Sequence, residues 1–106
     1  VLVALFDSVA ENLLHNAQNK RRREPGIKIS AILGVDRNRP SLCISDRGSA
    51  IPVDRATSLL HETVKSEDGL GIGLYHAARQ AEANGYTLAL GENDDGKVSF
   101  SLTAQA

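Results

Sequence analysis

Two asparagines near the start of the chain have a spacing that suits cation binding. Asn12 and Asn16 lie four residues apart in a segment with helical periodicity, so both amides project from one face of the predicted helix. Asparagine oxygens bind hard cations, as carboxylates and carbonyls do. The alternative interpretation is two solvated side chains on an exposed helix face, and the spacing alone leaves both open.

A single carboxylate follows an apolar segment in the middle of the chain. Asp46 comes directly after "SLCIS" and begins the loop "DRGSAIP". An ionised carboxylate accepts hydrogen bonds only, so it could hold an amino group, and Gly48 would let the backbone turn past a ligand. The simpler alternative is an ordinary turn aspartate.

Three glycines at alternate positions precede a helical segment in "DGLGIGLYHAARQ". Gly69, Gly71 and Gly73 form G-x-G-x-G, with Leu74 where a dinucleotide-binding fingerprint requires its third glycine. A Walker loop would end in G-K-[ST], which is absent from this sequence. Glycines followed at once by a helix are compatible with phosphate binding at the free N–H groups of the helix or with close backbone packing.

The elements that position these residues follow from hydrophobic periodicity. Apolar residues at helical steps predict a first helix ending near Lys20, and alternation predicts a hairpin whose second strand is "SLCIS", with Cys43 buried. Residues 53–68 read as a short helix or a loop, and residues 72–84 as a helix stopped by Asn84-Gly85. The segments "YTLAL" and "KVSFSLTA" predict two more strands joined by "GENDDG". This order predicts an α+β two-layer sandwich with helices on one sheet.

The composition limits the classes of function. The chain has 106 residues, which fits one domain, and its net charge of -1 gives no general attraction to nucleic acid. The 4% aromatic content argues against base-stacking surfaces, and one cysteine excludes an intrachain disulfide. No apolar run approaches the roughly 20 residues of a membrane span. Since the chain starts at Val1 within a predicted helix, we expect a piece of a longer protein truncated at its N-terminus.

The three segments together carry a resemblance that none carries alone. In this order, "ENLLHNAQNK", "DRGSAIP" and "DGLGIGLYHA" resemble the N, G1 and G2 boxes of the ATP-binding catalytic domain of sensor histidine kinases. This superfamily also includes gyrase, the Hsp90 chaperones and MutL. The resemblance covers nearly all of residues 1–106. It implies a Bergerat-type ATP-binding α/β fold, with helices on one face of a mixed sheet.

The same resemblance implies roles for individual residues. Asn12 and Asn16 would be the catalytic pair, with Asn16 as the Mg²⁺ ligand, and Asp46 would accept the amino group of adenine. Gly48 would leave room beside the base, and Lys65 would lie near the phosphates. The nucleotide-binding set implied by the three boxes is Asn16, Asp46, Gly48, Ile51, Lys65, Gly69, Gly71, Gly73 and Leu74.

The implied activity is that of an ATP-dependent phosphotransferase with Mg²⁺ as cofactor. The domain would supply the γ-phosphoryl group to a histidine on a separate dimerisation domain, which this sequence lacks, and a response regulator would receive it afterwards. We expect a cytoplasmic domain without nucleic-acid partners, attached to a membrane only through missing parts of the protein.

Several positions depart from the family pattern and keep alternatives open. Ala50 replaces a glycine of the G1 box, Asn19 replaces a lysine that here follows as Lys20, and Val98 stands where a strand threonine is usual. The lid lacks its phenylalanines. One alternative is a degenerate interaction module of the same fold, a second is an anti-sigma-type serine kinase, and a Rossmann-type oxidoreductase is a distant third.

Overall fold

The computed structural model describes residues 2–56, 60 and 70–105 of the chain. It contains three helices and four strands in the order helix, hairpin, two helices, hairpin. No helix among these residues is long and apolar enough to cross a membrane. The elements are α1 (Leu2–Arg23), β1 (Ile29–Asp36), β2 (Arg39–Asp46), α2 (Val53–Ala56), α3 (Leu70–Ala83), β3 (Tyr86–Asp94) and β4 (Lys97–Ala104).

The four described strands form one sheet in the order β1-β2-β4-β3, and every pairing is antiparallel. The mixed sheet that we predicted is therefore wrong for the described strands. Both hairpins pair neighbouring strands, and β2 meets β4 in the antiparallel sense as well. Arg37 and Asn38 close the first hairpin with φ of 54° and 63°, which suits the two-residue turns that match strand twist.

The predicted two-layer α+β arrangement is confirmed. α1 packs on β2 and α3 packs on β3, and the two helices contact each other. The core between the helices and the sheet is almost entirely aliphatic, with Tyr86 as its one buried aromatic side chain among the described residues. Its members come from both helices, three strands and Leu60: Leu5, Val9, Leu13, Leu42, Ile44, Leu60, Leu74, Ala77, Ala78, Ala81, Tyr86, Leu88, Leu102 and Ala104.

The element boundaries extend beyond the predicted ones. α1 continues three residues past Lys20 and stops before Pro25-Gly26, because the arginines favour helix and Gly26 takes φ of +90°. α3 begins two residues earlier than predicted and ends as expected before Gly85, whose φ is +76°. β3 and β4 extend through most of "GENDDG" and leave a turn only at residues 95–96.

The predicted burial of Cys43 is wrong. Cys43 is half-buried on the sheet face that points away from the helices, and its Sγ lies 3.9 Å from the Oγ of Ser101. Strand side chains alternate between faces, and the larger Leu42 and Ile44 occupy the helix-facing positions of β2. The same alternation places Asp46 on the helix-facing side, where it is buried.

Candidate nucleotide-binding site

A cavity of about 290 Å³ lies between the C-terminal half of α1, the loop of residues 47–52, and strands β2 and β4. Its walls combine aliphatic and aromatic side chains with a few charged ones, which is the usual composition of small-molecule sites. The residues that line the cavity include Asn16, Lys20, Asp46, Ile51, Val98 and Phe100.

Asp46 is the buried carboxylate of the cavity and is 8% exposed. Its Oδ1 accepts a hydrogen bond from the backbone N–H of Gly48 at 2.9 Å and lies 2.8 Å from the Nζ of Lys20. The same ammonium donates to the carbonyl oxygen of Ser49 at 2.5 Å. Lys20 therefore compensates the charge of Asp46 and ties α1 to the loop that follows β2.

Gly48 is a glycine because of close packing around its backbone. A Cβ built there would lie 2.8 Å from Cε of Lys20, 3.0 Å from Oε1 of Glu24 and 3.1 Å from Oδ1 of Asp46. Real Cβ atoms essentially never come within 3.0 Å of a neighbour, as this one would to Lys20, and the other two contacts are tighter than most. A larger residue would have to shift the end of the Lys20 side chain, so Gly48 supports this end of the cavity without lining it.

Glu24 holds the same loop from just beyond the end of α1. Its carboxylate accepts hydrogen bonds from the backbone N–H of Ser49 at 2.8 Å and from the Ser49 hydroxyl at 2.6 Å. These bonds, with the nearby charges of Lys20 and Arg23, lower the pKa of Glu24 below its ordinary value of 4.5. The carboxylate thus stays ionised at neutral pH and fixes Ser49.

The tip of the β3–β4 hairpin holds the loop from the other side. Asn93 exchanges two hydrogen bonds with the backbone of Ile51, of 2.7 Å and 3.0 Å. Asp95 accepts from the N–H of Ala50 at 2.9 Å, and the N–H of Gly96 donates to the carbonyl of Gly48 at 3.0 Å. The loop is therefore fixed along its length by two elements that are distant in sequence.

Asn16 lines the cavity with an amide that lacks a partner. Its Nδ2 is buried and makes no hydrogen bond, which is costly for a polar atom. Among the described residues, only Nε of Arg79 shares this condition. Because an amide presents an oxygen on one side and an NH₂ group on the other, Asn16 offers the cavity either an acceptor or a donor.

Asn12 does not line the cavity. Its Nδ2 donates to the carbonyl of Ser8 at 3.0 Å, and its Oδ1 lies 3.1 Å from the position of a Cβ on Gly73. Beside it, the Ser8 hydroxyl donates to Oε1 of Gln80 at 2.9 Å. Asn12 thus lies in the contact between α1 and α3, where the absence of a side chain on Gly73 permits close approach.

The remaining residues of the predicted set lie apart from the cavity or outside the described residues. Gly71 and Gly73 are within the first four residues of α3, where backbone N–H groups lack intrahelical acceptors. Leu74 is fully buried in the core. Lys65 and Gly69 lie outside the described residues. The structure therefore gathers Asn16, Asp46 and Ile51 at the cavity, with Gly48 behind Asp46, and leaves Asn12, Gly73 and Leu74 in packed surroundings.

Two of the positions that depart from the family pattern, Ala50 and Val98, line the cavity. Asn19 does not, but Lys20, the next residue, does. Val98 pairs directly with Asp46 across the sheet and is 1% exposed, so it forms an apolar wall next to the carboxylate. Sequence reasoning missed the contributions of Lys20, Glu24, Asn93 and Asp95, although Lys20 and Glu24 continue the helical spacing from Asn16.

The described residues were compared with the ligand sets of protein metal sites. No group of three or more His, Cys, Asp or Glu residues that could hold a metal occurs within residues 2–56, 60 and 70–105. The amide oxygen of Asn16 would be the one protein ligand of a cation held otherwise by phosphates and water, which is how Mg²⁺ commonly binds. The atom without a partner is the donor Nδ2, which cannot itself bind a cation.

Comparisons with known proteins do not assign the chain to a family. No protein-family model matches it, and no curated protein is detectably similar to it.

Proposed function

We propose that this chain is the ATP-binding catalytic domain of a sensor histidine kinase, with a Bergerat-type fold. The observation that carries the proposal is the pairing of two features at one cavity. Asp46 supplies a buried carboxylate beside apolar walls, and Asn16 lines the same cavity with an amide whose nitrogen is buried without a partner. These are the residues for which the sequence resemblance implies adenine and Mg²⁺ contacts.

The Asp46 end of the cavity suits a flat base with an exocyclic amino group. Ile51, Val98 and Phe100 provide apolar surfaces, and the carboxylate of Asp46 can only accept hydrogen bonds. The volume of about 290 Å³ accommodates a base and part of a sugar, and a triphosphate would extend beyond it. Adenine carries an amino group at C6, whereas guanine bound in the same orientation would present its C6 carbonyl oxygen to the carboxylate.

Lys20 occupies the acceptor that adenine would use. Its ammonium lies 2.8 Å from Oδ1 of Asp46, so an incoming base must share the carboxylate or move the lysine. Lys20 and two arginines, Arg23 and Arg55, border the cavity. The carboxylates of Glu24 and Asp46 line the same cavity, so the three cations leave an excess of one formal positive charge to attract a polyanionic ligand.

Asn16 is the residue best arranged to meet the phosphates. Bound Mg²⁺ would neutralise phosphate charge and polarise the transferred phosphoryl group. Asn16 would hold the ion through its amide oxygen, and the first N–H groups of α3 would orient phosphate oxygens. The chain's own contribution is positioning and charge stabilisation, which is the main requirement of phosphoryl transfer.

In the full protein, the γ-phosphoryl group would pass to a histidine on a separate dimerisation domain and then to a response regulator. The domain would act in the cytoplasm, with any membrane attachment provided by other parts of the protein.

A second candidate function is a non-catalytic interaction module of the same fold. Two observations favour it: Lys20 already satisfies Asp46, and Ala50 adds a methyl group at the cavity. An anti-sigma-type serine kinase would use the same site, and the sequence upstream of Val1 would separate it from a histidine kinase.

Calorimetric titration with a non-hydrolysable ATP analogue and Mg²⁺ tests the proposal. We expect the wild type to bind the ATP analogue and to prefer it to the GTP counterpart. The Asp46→Asn variant should bind at least about tenfold more weakly, because a hydrogen bond to a charged group is worth about 1.5–3 kcal/mol. Asp7→Asn, an exposed position on α1, is the matched control and should bind like the wild type. Absence of binding would favour the interaction module, and equal binding by Asp46→Asn would remove Asp46 from the site.

A further inference from the structure

Strand β1 (Ile29–Asp36) is an open edge of the sheet with an unusual apolar surface. Every residue after Ile29 is exposed, and Ile32, Leu33 and Val35 are 62%, 73% and 75% exposed. Edge strands are usually blunted by lysine, proline, a bulge or a covering element. β1 pairs with β2 without a register shift and contains no proline, and its only charged residue is the terminal Asp36.

The opposite edge of the sheet, strand β3, has features that discourage pairing with a further strand. β3 carries an irregularity between Leu90 and Asn93, and its last residues include Glu92 and Asp94. α3 also packs against it. Within the part of the chain that the structure describes, features that discourage pairing with another strand therefore lie at β3 and not at β1.

The hydrogen bonds of the first hairpin determine which backbone groups β1 directs outward. Asp36 and Arg39 close the two-residue turn, and the N–H of Arg47 donates to the carbonyl of Lys28 at 3.0 Å. Because bonded residues alternate in an antiparallel pair, the even-numbered residues of β1 bond to β2. The odd-numbered residues, Ile29, Ala31, Leu33 and Val35, direct their N–H and C=O groups to the open edge.

One register of two paired β1 strands provides hydrogen-bond partners for these outward groups and also places unlike charges opposite each other. If a second β1 pairs antiparallel about a two-fold axis at Ile32, Ile29 lies opposite Val35 of the second copy and Ala31 lies opposite its Leu33. These odd-numbered pairs have the correct hydrogen-bond phase. Lys28, just before the strand, lies opposite Asp36 at both ends, so unlike charges meet twice.

We propose that β1 is a self-association surface through which two copies of this chain form a continuous eight-stranded sheet. The dimer is isologous, since the same strand serves both partners. It buries the exposed side chains of Ile32, Leu33 and Val35 against their counterparts. None of the residues that line the cavity belongs to β1, so the association leaves the cavity accessible and is independent of the proposed nucleotide binding.

Sedimentation velocity over a concentration series tests the association. The wild type should show a concentration-dependent dimer, and Leu33→Lys should raise its dissociation constant by at least about tenfold, since a charge would be buried in the pair. Val53→Lys is the control, because Val53 is a 79% exposed aliphatic residue on α2, and it should dimerise like the wild type. Lys28→Asp should weaken the dimer, and adding Asp36→Lys should restore it.

Cysteine crosslinking tests the register in a Cys43→Ser background. Ile32 lies on the proposed axis in a non-hydrogen-bonded pair, where Cα atoms are about 4.5 Å apart, within the range of a disulfide. Ile32→Cys should therefore form a covalent dimer on mild oxidation. Val35→Cys, which is similarly exposed, should not, because the two copies of residue 35 would be about 20 Å apart.

Three results would overturn the proposal. The first is a wild type that stays monomeric throughout, which would assign the edge to a different partner or to none. The second is a dimer that Leu33→Lys leaves unchanged. The third is equal crosslinking by the two cysteine variants, which would exclude this register.

Discussion

Two turns of helix α1 carry the same residue type in different surroundings. At Asn12 the amide donates to the Ser8 carbonyl, and its oxygen packs against Gly73 of α3. At Asn16, one turn later, the amide nitrogen is buried without a partner at the wall of a cavity. The helix therefore packs against α3 around Asn12 and offers an unused polar group around Asn16.

This difference shows how one helix can stabilise the fold and build a site. Ahead of Asn16, Leu5, Val9 and Leu13 are buried in the core. Beyond it, Lys20 and Glu24 bind the loop that follows β2. A packed first half thus positions a second half in which Lys20 and Glu24 hold the loop and Asn16 keeps an amide nitrogen without a partner.

We expect the largest loss of folding stability from Lys20→Met. The Lys20 and Asp46 side chains are only 11% and 10% exposed, and removing one partner of a buried pair leaves an uncompensated charge. We expect a loss of about 2–4 kcal/mol in the free energy of unfolding, measured with urea. The control Lys97→Met breaks a pair with Glu92 whose side chains are 56% and 57% exposed, so it should change stability by less than about 0.5 kcal/mol. Similar losses in both variants would mean that Lys20 is not needed to compensate Asp46.

Gly73→Val tests the closed contact around Asn12. The added Cβ would lie 3.1 Å from Oδ1 of Asn12, and forced overpacking typically costs about 1–3 kcal/mol. The urea midpoint should fall, and combining the change with Asn12→Ala should recover part of the loss. Additive effects in this double-mutant cycle would show that the two residues are not coupled.

The variants Asn12→Ala and Asn16→Ala should have opposite effects on stability and on nucleotide affinity. Asn16→Ala removes a buried polar atom without a partner, so stability should hold while the Mg²⁺-dependent part of nucleotide affinity falls by about tenfold. Asn12→Ala should lower stability by about 1 kcal/mol and keep most of the affinity. Thermal unfolding and calorimetry on the same samples measure both quantities. The reverse pattern would exchange the two roles.

The smallest expected effect is a pH-dependent contribution of Glu24 to folding stability. Hydrogen bonds from Ser49 lower the pKa of Glu24 in the folded state, so its contribution to stability is complete above the ordinary value of 4.5 and is lost as the pH falls through the lowered value. The difference in stability between the wild type and Glu24→Gln should therefore be present at pH 7 and disappear in strong acid. Glu11→Gln, an exposed position on α1, serves as the control. A difference that does not change with pH would remove the ionised carboxylate from the explanation.

Local patterns predicted the helices and hairpins well because periodicity and turn residues are short-range signals. Gly85 stops α3 at the predicted place with positive φ. The face taken by Cys43 was mispredicted, since the docking of larger neighbours decides which side of a strand is buried. The mixed sheet was expected from family resemblance, and the strand pairings do not follow it.

The candidate site was predictable only in part. Asp46 and Asn16 were named through the family resemblance, because residue type and spacing alone left an ordinary turn aspartate and solvated asparagines open. The contacts of Glu24 with Ser49 and of Asn93 with Ile51 join residues 25 and 42 positions apart, and no local pattern shows such pairs. The different surroundings of Asn12 and Asn16 likewise depend on where α3 packs.

The proposed nucleotide site at the cavity can be tested directly by ¹H–¹⁵N NMR, which maps shifts of backbone and side-chain amides during titration with an ATP analogue and Mg²⁺. We predict saturable changes at Gly48, Ser49 and Ile51 and at the side-chain amide of Asn16, with β1 unaffected. Omitting Mg²⁺ should reduce the change at Asn16 more than the change at Gly48. Absence of shifts at saturating ligand, or shifts confined to residues away from the cavity, would contradict the proposed site.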